Sequence, residues 1–224
     1  MSPKGIGAST AAAIAAQDPA LLILASRTKA KLEEVAADCR QLVKTGKVKT
    51  VLLDLASQKS IRETADQVKK LTDRIDILIN NAALVVTSRQ WTEDGLEMQW
   101  GTNHTGPFLF TNLLLPLLLN AAKTAAPGAT RVVSLTSAGH RLSPIRFHDY
   151  NFEGKPIPAE EEPLSSLPPA FAKTTEDGYN GIIAYGQSKT ANILFTLSLQ
   201  KSLIKKGIAA YVLHPGSTYC MGRP

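Results

Sequence analysis

The 224-residue chain carries a formal net charge of +6, with 44% hydrophobic and 20% charged residues. This balance is ordinary for a protein that buries a core, and the length suits a single domain. The basic residues are scattered rather than clustered, which favours a solvated surface over a nucleic-acid-binding arm, so we expect no nucleic-acid partner.

The N-terminus lacks a secretory signal pattern, and the longest apolar stretch, from Pro107 to Leu119, is interrupted by polar residues. That stretch is too short and too polar for a bilayer-spanning helix. We therefore expect no membrane span and a location in the reducing cytoplasm.

The predicted elements begin with a helix of small residues at 8–16, with Gly7 near its start. Apolar runs then alternate with segments of helical period. Strands are predicted at 20–27, 47–54, 75–83, 130–138 and 208–216, and helices at 28–44, 57–74, 91–122 and 183–206. This alternation is typical of βαβ units and predicts an α/β fold with a parallel sheet covered on both faces.

One segment, from about 140 to 178, interrupts the alternation and is rich in Pro, Ser and Glu. Long irregular insertions in compact domains are functional loops or disordered segments. Its aromatic residues distinguish it from a plain linker: Phe147, Tyr150, Phe152 and Phe171. We interpret it as a partly ordered lid or substrate loop inserted in one domain spanning 1–224, with disorder as the alternative.

The sequence predicts no metal site. Cys39 and Cys220 match neither a metal-ligand spacing nor a disulfide framework. His148 and Asp149 are adjacent, but no second pair of ligands follows at a suitable spacing.

Tyr185 and Lys189 lie four positions apart in the predicted helix 183–206 and therefore share a face. An ammonium near a phenol favours the phenolate, and a tyrosine prepared in this way can protonate a developing alkoxide or take the proton back. A chance pair on a helix surface is the alternative, because this spacing is common.

Polar residues close several predicted strands. Ligands of parallel α/β sheets bind at the carboxyl ends of the strands. The residues at these ends are Asp54, Asn80, Asn81, Ser137 and the turn at 214–216. Each of these residues is also consistent with a polar cap at the end of a strand. Their recurrence at successive strand ends favours a common site. In that site the Ser137 hydroxyl would hydrogen-bond a substrate oxygen.

The motifs in chain order resemble the short-chain dehydrogenase/reductase family. They are GxG at 5–7, NNA at 80–82, NHTG at 103–106, Ser137, YxxSK at 185–189 and PG at 215–216. The resemblance covers nearly the whole chain. The 48-position gap between Ser137 and Tyr185 is most similar to retinol-dehydrogenase-like and WW-domain-oxidoreductase-like enzymes and their fungal relatives.

The resemblance implies a Rossmann-type doubly wound parallel sheet and hydride transfer between a nicotinamide cofactor and a carbonyl or alcohol. Tyr185 would be the general acid/base, and Lys189 would assist it and hold the nicotinamide ribose. Ser137 would bind the substrate oxygen, and Asn103 would hold a water that relays protons. Relatives of this kind also suggest a homodimer, for which the sequence gives no independent sign.

The same resemblance implies the cofactor contacts. Backbone N–H groups at a helix N-terminus favour anions, so this part of the chain would face the pyrophosphate. An Arg after the second strand of such folds accommodates the 2′-phosphate of NADP, whereas an acid there binds the ribose of NAD. The candidate cofactor residues are Lys4, Gly5, Ile6, Gly7, Arg27, Asp54, Asn81, Tyr185, Lys189 and Thr218. Arg27, with Lys4 as a second positive charge, predicts NADP(H).

The sequence departs from the family pattern in four places. The family's first strand and the first glycine of its phosphate loop do not precede Gly5, and its final helix and strand do not follow Pro224. Ala83 and Cys220 stand where the family has Gly and Thr. We therefore expect a sheet without its first and C-terminal strands. Two functions remain open: an NADP(H)-dependent oxidoreductase acting on a small, lipophilic molecule, and a catalytically impaired remnant of one.

Overall fold

The computed structural model describes residues 5–164, 167, 169 and 171–216, so Lys4 and Thr218 lie outside the described residues. Its strands are β1 (Leu21–Ser26), β2 (Lys47–Leu52), β3 (Ile77–Asn80), β4 (Thr130–Leu135) and β5 (Ile208–Leu213). Its helices are α1 (Ile6–Ala15), α2 (Lys29–Leu42), α3 (Gln58–Leu71), α4 (Met98–Trp100), α5 (Gly106–Ala122) and α6 (Gly181–Leu203). The alternating order confirms the predicted α/β fold.

All strand pairs are parallel, but they form two sheets. β1 pairs with β2 along its whole length, from Leu21 opposite Lys47 to Ser26 opposite Leu52. β3, β4 and β5 form the second sheet in that order. Among the described residues, no backbone hydrogen bond joins β1 to β3. Each of these two strands therefore has one edge without a hydrogen-bonded neighbour.

The two-stranded sheet is covered on both faces, as the sequence predicts. Leu22 and Leu24 pack against the buried small residues of α1 and against α2. Ile23 points the other way, because side chains alternate along a strand, and it packs against α3 and α5. Ser57 helps to start α3 by accepting a hydrogen bond from the Ser60 N–H at 3.3 Å.

The three-stranded sheet is covered on one face only by the described helices. Val132 and Ile208 are fully buried beneath α5 and α6. On the opposite face, Ile77, Tyr211 and Leu213 are 47%, 49% and 52% exposed. Apolar strand residues that the sequence assigns to a buried core therefore lie half in solvent.

The prediction of a helix over 91–122 is wrong for its first residues. Trp91 and Glu97 form an antiparallel bridge that closes a turn, and helix begins only at Met98. Glu97 caps it by accepting from the N–H groups of Gln99 at 2.9 Å and Trp100 at 2.6 Å. A π-helical turn, Gly101–Thr105, then leads into α5. Such turns insert an extra residue into a helix and are frequent at functional sites.

The helical stretch Met98–Ala122 is long and apolar enough to cross a membrane, with 44% of its most apolar window buried. A core helix passes the same test, and this one packs Leu114 and Leu118 into two of the four apolar clusters of the described residues. Pro116 lies inside α5.

The insertion is anchored by buried polar groups. Asp149 accepts from the backbone N–H groups of Glu153 at 2.7 Å and Gly154 at 3.1 Å and from the Arg146 guanidinium at 2.8 Å. Gln187 of α6 accepts from the Arg146 N–H and donates to the Tyr150 carbonyl, each at 2.9 Å. These bonds tie the first half of the insertion to the helix that carries Tyr185.

Candidate active site

Tyr185 and Lys189 project from the first turns of α6. Asn180 is the N-cap residue of the helix, and its side chain accepts from the N–H groups of Ile182 and Ile183, each at 3.0 Å. The Lys189 Nζ lies 5.5 Å from the centre of the Tyr185 ring. Tyr185 is half-buried, so its ring can still reach a ligand.

Lys189 is only 2% exposed, and its Nζ donates to the Leu135 carbonyl at 3.2 Å. Burial disfavours the charged ammonium and lowers its pKa to about 8. The ammonium therefore lies at the end of β4, in a place where its charge is poorly solvated.

Ser137 and Tyr185 flank the same glycine. A Cβ placed on Gly139 would lie 3.6 Å from the Ser137 Oγ and 3.2 Å from Cδ1 of Tyr185. The Ser137 Oγ accepts from the Gly139 N–H at 3.2 Å. Because the hydroxyl accepts this bond, its own hydrogen remains available for a substrate oxygen.

His140 fixes the turn that carries Ser137. Its backbone N–H donates to the Ser137 carbonyl at 3.1 Å, and its Nδ1 lies 2.6 Å from the same oxygen. A carbonyl only accepts, so Nδ1 carries a proton.

Asn103 lies in the π-helical turn and is fully buried. Its Oδ1 accepts from the Leu84 N–H at 2.8 Å, and its Nδ2 donates to the Leu84 carbonyl at 2.9 Å and to the Ser188 Oγ at 3.1 Å. The amide thus clamps the backbone after β3 onto α6. The role predicted for Asn103, holding a water, stays a prediction, and its side-chain amide hydrogens are already engaged.

The phosphate side of the site lies at the N-terminus of α1. Gly5 is the N-cap residue, and no side chain of the described residues caps the helix there. A Cβ on Gly7 would lie 2.7 Å from the Asn81 Nδ2, whereas one on Gly5 would meet nothing within 4 Å. The open space at Gly5 and the uncapped helix end fit an anionic group such as a pyrophosphate. The Asn81 side chain lies next to Gly7, and its predicted contact with the cofactor stays a prediction.

Arg27 and Asp54 occupy the predicted strand ends. Arg27 directly follows β1 and is exposed. Asp54 follows β2, and its Oδ1 accepts from the Ala56 N–H at 2.9 Å. Both lie at the carboxyl edge of the two-stranded sheet, with no acidic residue directly after β1.

The sequence analysis assigned no role to three residues that lie in the site: His104, Ser188 and Asn192. Ser188 donates to the Tyr185 carbonyl at 2.7 Å and receives the Asn103 amide. Asn192 contacts Asn103 and Leu135. Ser188 and Asn192 are buried on α6 and His104 lies in the π-helical turn, and their partners, which buried polar groups require, become visible only in the packed structure. Among the described residues, no group of His, Cys, Asp or Glu could hold a metal ion.

The parallel strands, alternating helices and strand-end polar groups define an α/β protein of the Rossmann type. The chain belongs to the short-chain dehydrogenase family, whose model matches residues 2–150. It is 32% identical over 217 residues to the oxidoreductase fscI of Fusarium equiseti, covering 96% of this chain and 83% of that protein. It is 40% identical over 212 residues to retinol dehydrogenase 13 of mouse, covering 95% of this chain and 55% of that protein. The chain thus spans about half the length of that relative.

Solved structures show the same fold. A crystal structure of a protein from Mycobacterium paratuberculosis matches with a TM-score of 0.71 at 32% identity, covering 97% of this chain and 66% of that one. A metagenomic short-chain oxidoreductase in complex with NADP has a TM-score of 0.65 at 20% identity, covering 96% and 78%. An NADH-dependent reductase in complex with NAD has a TM-score of 0.66 at 20% identity, covering 96% and 74%.

Proposed function

We propose that the protein is an NADP(H)-dependent oxidoreductase that interconverts a carbonyl and an alcohol on a small, lipophilic molecule. The observation that carries the proposal is the arrangement of Ser137 and Tyr185 on either side of Gly139, with the Lys189 ammonium 5.5 Å from the tyrosine ring. The bound nicotinamide would supply or accept the hydride.

The chain's own groups would handle the substrate oxygen. The free hydrogen of the Ser137 hydroxyl binds it, and the Tyr185 hydroxyl gives or takes the proton. The Lys189 ammonium favours the phenolate, and we propose that it also holds a ribose hydroxyl of the cofactor. Asn103 is proposed to hold the relaying water through its backbone carbonyl.

NADP(H) is preferred to NAD(H) in this proposal because Arg27, an exposed cation, follows β1. Similar structures include complexes with either cofactor. A titration of the protein with NADPH and NADH is expected to give tighter binding of NADPH. Arg27→Ala should remove most of that difference, with Arg62→Ala, on the surface of α3, as a matched control. Equal or tighter binding of NADH would contradict the preference.

The substrate class is proposed from two observations. Half-exposed aromatic residues lie in the insertion, with Phe147 67%, Tyr150 41% and Phe171 39% exposed. The names of the mammalian relatives specify retinol, a lipophilic alcohol. A panel of apolar and polar aldehydes and ketones with NADPH tests this class, and faster turnover of the polar carbonyls would contradict it.

A second candidate, a chain that keeps these residues but does not turn over, is favoured by the separation of β1 from β3. The two candidates differ in one measurement: consumption of NADPH in the presence of the carbonyl panel. A homodimer stays a prediction, which light scattering of the purified protein would test.

A further inference from the structure

One buried amide joins three elements of the candidate active site. Asn192 lies on α6, three residues beyond Lys189, and is 6% exposed. Its Nδ2 donates to the carbonyls of Asn103 at 3.0 Å and Leu135 at 3.3 Å. Its Oδ1 lies 3.2 Å from Nδ1 of His104. The nitrogen and the oxygen of the amide therefore both have protein partners.

The orientation of this amide follows from its neighbours. The carbonyls of Asn103 and Leu135 can only accept, so the amide nitrogen faces them and the amide oxygen faces His104. The oxygen in turn requires a proton on the His104 Nδ1. The His104 ring packs against Trp100, with ring centres 4.8 Å apart, which holds the donor in place.

The two carbonyls that Asn192 holds belong to the reaction site. Leu135 ends β4, two residues before Ser137, and its carbonyl also accepts from the Lys189 Nζ at 3.2 Å. The Asn103 carbonyl is the group proposed to hold the relaying water. Asn192 therefore links the strand that leads to Ser137, the helix of Tyr185 and Lys189, and the π-helical turn of Asn103.

We propose that Asn192 is a positioning residue of the reaction: its two donated hydrogen bonds hold the Leu135 and Asn103 carbonyls and, through them, the spacing between Ser137 and Lys189. This inference rests on the proposed function. A displacement of about 1 Å at reacting groups can lower a rate about 10²-fold. Losing the two bonds should therefore lower kcat by about that factor, with little change in NADPH affinity.

The test compares Asn192→Leu and Asn192→Asp with the unchanged protein. Leu removes both donors at similar volume, and Asp keeps an acceptor for His104 but offers no donor to the carbonyls. Thr196→Val is the matched control, because Thr196 is 2% exposed on the same helix and its hydroxyl donates to the Asn192 carbonyl at 2.8 Å. Thermal unfolding identifies variants that fold, and kcat, KM and the Kd of NADPH are measured for those.

A second readout needs neither cofactor nor turnover: the rate at which an acylating reagent modifies Lys189, relative to exposed Lys201 in the same digest. In the Leu and Asp variants, kcat should fall about 10²-fold with the Kd of NADPH within about threefold, and Lys189 should become more reactive. Thr196→Val should change neither.

Folded Leu and Asp variants with unchanged kcat, or an equal loss in Thr196→Val, would overturn the proposal. If the unchanged protein reduces no carbonyl, the proposed function fails, and unchanged Lys189 reactivity in both Asn192 variants would then overturn the positioning role as well.

Discussion

The Tyr185 hydroxyl is the group on which the proposed chemistry depends most directly. Tyr185→Phe is expected to lower kcat by about 10²–10⁴-fold, the range typical of a lost general acid, while the Kd of NADPH stays nearly unchanged. Ser137→Ala should lower mainly kcat, and Lys189→Ala should damage both kcat and NADPH binding. Tyr211→Phe is the control, because Tyr211 is 49% exposed near the end of β5. A Tyr185→Phe variant that keeps half its activity would refute the assignment.

The buried ammonium of Lys189 predicts a pH-dependent stability. Burial lowers its pKa from 10.5 to about 8 in the folded chain. Between these two values the unfolded chain binds the proton and the folded chain does not, so the free energy of unfolding rises with pH across this window. Below pH 8 the full cost of the buried charge applies, on the order of 3 kcal/mol at most.

Lys189→Met should therefore raise the free energy of unfolding at neutral pH and remove the rise between pH 8 and 10.5, while abolishing turnover. The measurement is urea unfolding at several pH values. Lys201→Met, an exposed position on the same helix, controls for the loss of a surface charge. Parallel pH curves for the unchanged protein and Lys189→Met would show that the ammonium is not desolvated.

At the scale of single residues, the sequence indicated side chains that can exchange a proton or carry a charge, such as Tyr185 and Lys189. The spacing of Tyr185 and Lys189 was sufficient to place both on one face of α6. Asn192 and His104 were not indicated, because an asparagine on a helix gives no sign of its burial. Their partners, the carbonyls of Asn103 and Leu135, belong to elements distant in sequence, and only the packed structure brings them together.

Among the elements, the turn before α4 and the end of the insertion meet in a buried polar cluster. Tyr179 and Glu97 are both fully buried, and the tyrosine hydroxyl donates to the Glu97 Oε1 at 2.7 Å. Gln99 donates to the same hydroxyl at 2.8 Å and to the Gly181 carbonyl at 2.8 Å. Burial raises the pKa of Glu97, as expected for a carboxyl with little solvent. The cluster fixes the start of α6 against the segment after β3.

Tyr179→Phe should cost about 1–3 kcal/mol, because it leaves Glu97 and Gln99 short of a partner in the interior. It should also speed proteolytic cleavage within the insertion, which Tyr179 helps to anchor. Tyr150→Phe, at an exposed tyrosine of the insertion, is the matched control. Unfolding curves and limited proteolysis measure the two effects. Equal stability of both variants would mean that the cluster does not hold the insertion.

The sequence located the strands and most helices because their hydrophobic periods are strong. It failed at 91–97, where a polar turn capped by the Glu97 side chain replaces the first turns of a predicted helix. Glu97 is itself buried, and Asn151 holds it in place for capping: the Asn151 Oδ1 accepts from the Glu97 N–H at 2.9 Å. That contact joins residues 54 positions apart in the sequence, so no local pattern contains it.

For the whole molecule, the separation of β1 from β3 sets the expected stability. Unpaired backbone groups cost about 1–3 kcal/mol each when buried, and a domain has only about 5–15 kcal/mol in total. The exposed edges also favour aggregation. We predict that the 224-residue chain is marginally stable, with a free energy of unfolding near the low end of this range.

An apolar strand joined ahead of Gly5 should raise the free energy of unfolding, because it would pair with the open edges of β1 and β3. Thermal unfolding of the 224-residue chain and of the extended chain tests this. A scrambled strand of equal composition is the control. A cooperative transition of the 224-residue chain at the temperatures usual for mesophilic proteins, left unchanged by the added strand, would contradict the prediction.

The same separation predicts that the protein opens as two folding units. β1, β2 and helices α1 to α3 are formed by residues up to Leu71, and β3 to β5 with α5 and α6 by later residues. The units meet through side chains, chiefly Ile61, Ala65 and Val68 against Phe110 and Leu114. Native-state hydrogen exchange should therefore show two opening free energies instead of one. Within β1 and β3, amides that point toward the neighbouring paired strand should exchange slowly, and those that point toward the gap should exchange fast, with the period of two that a strand imposes.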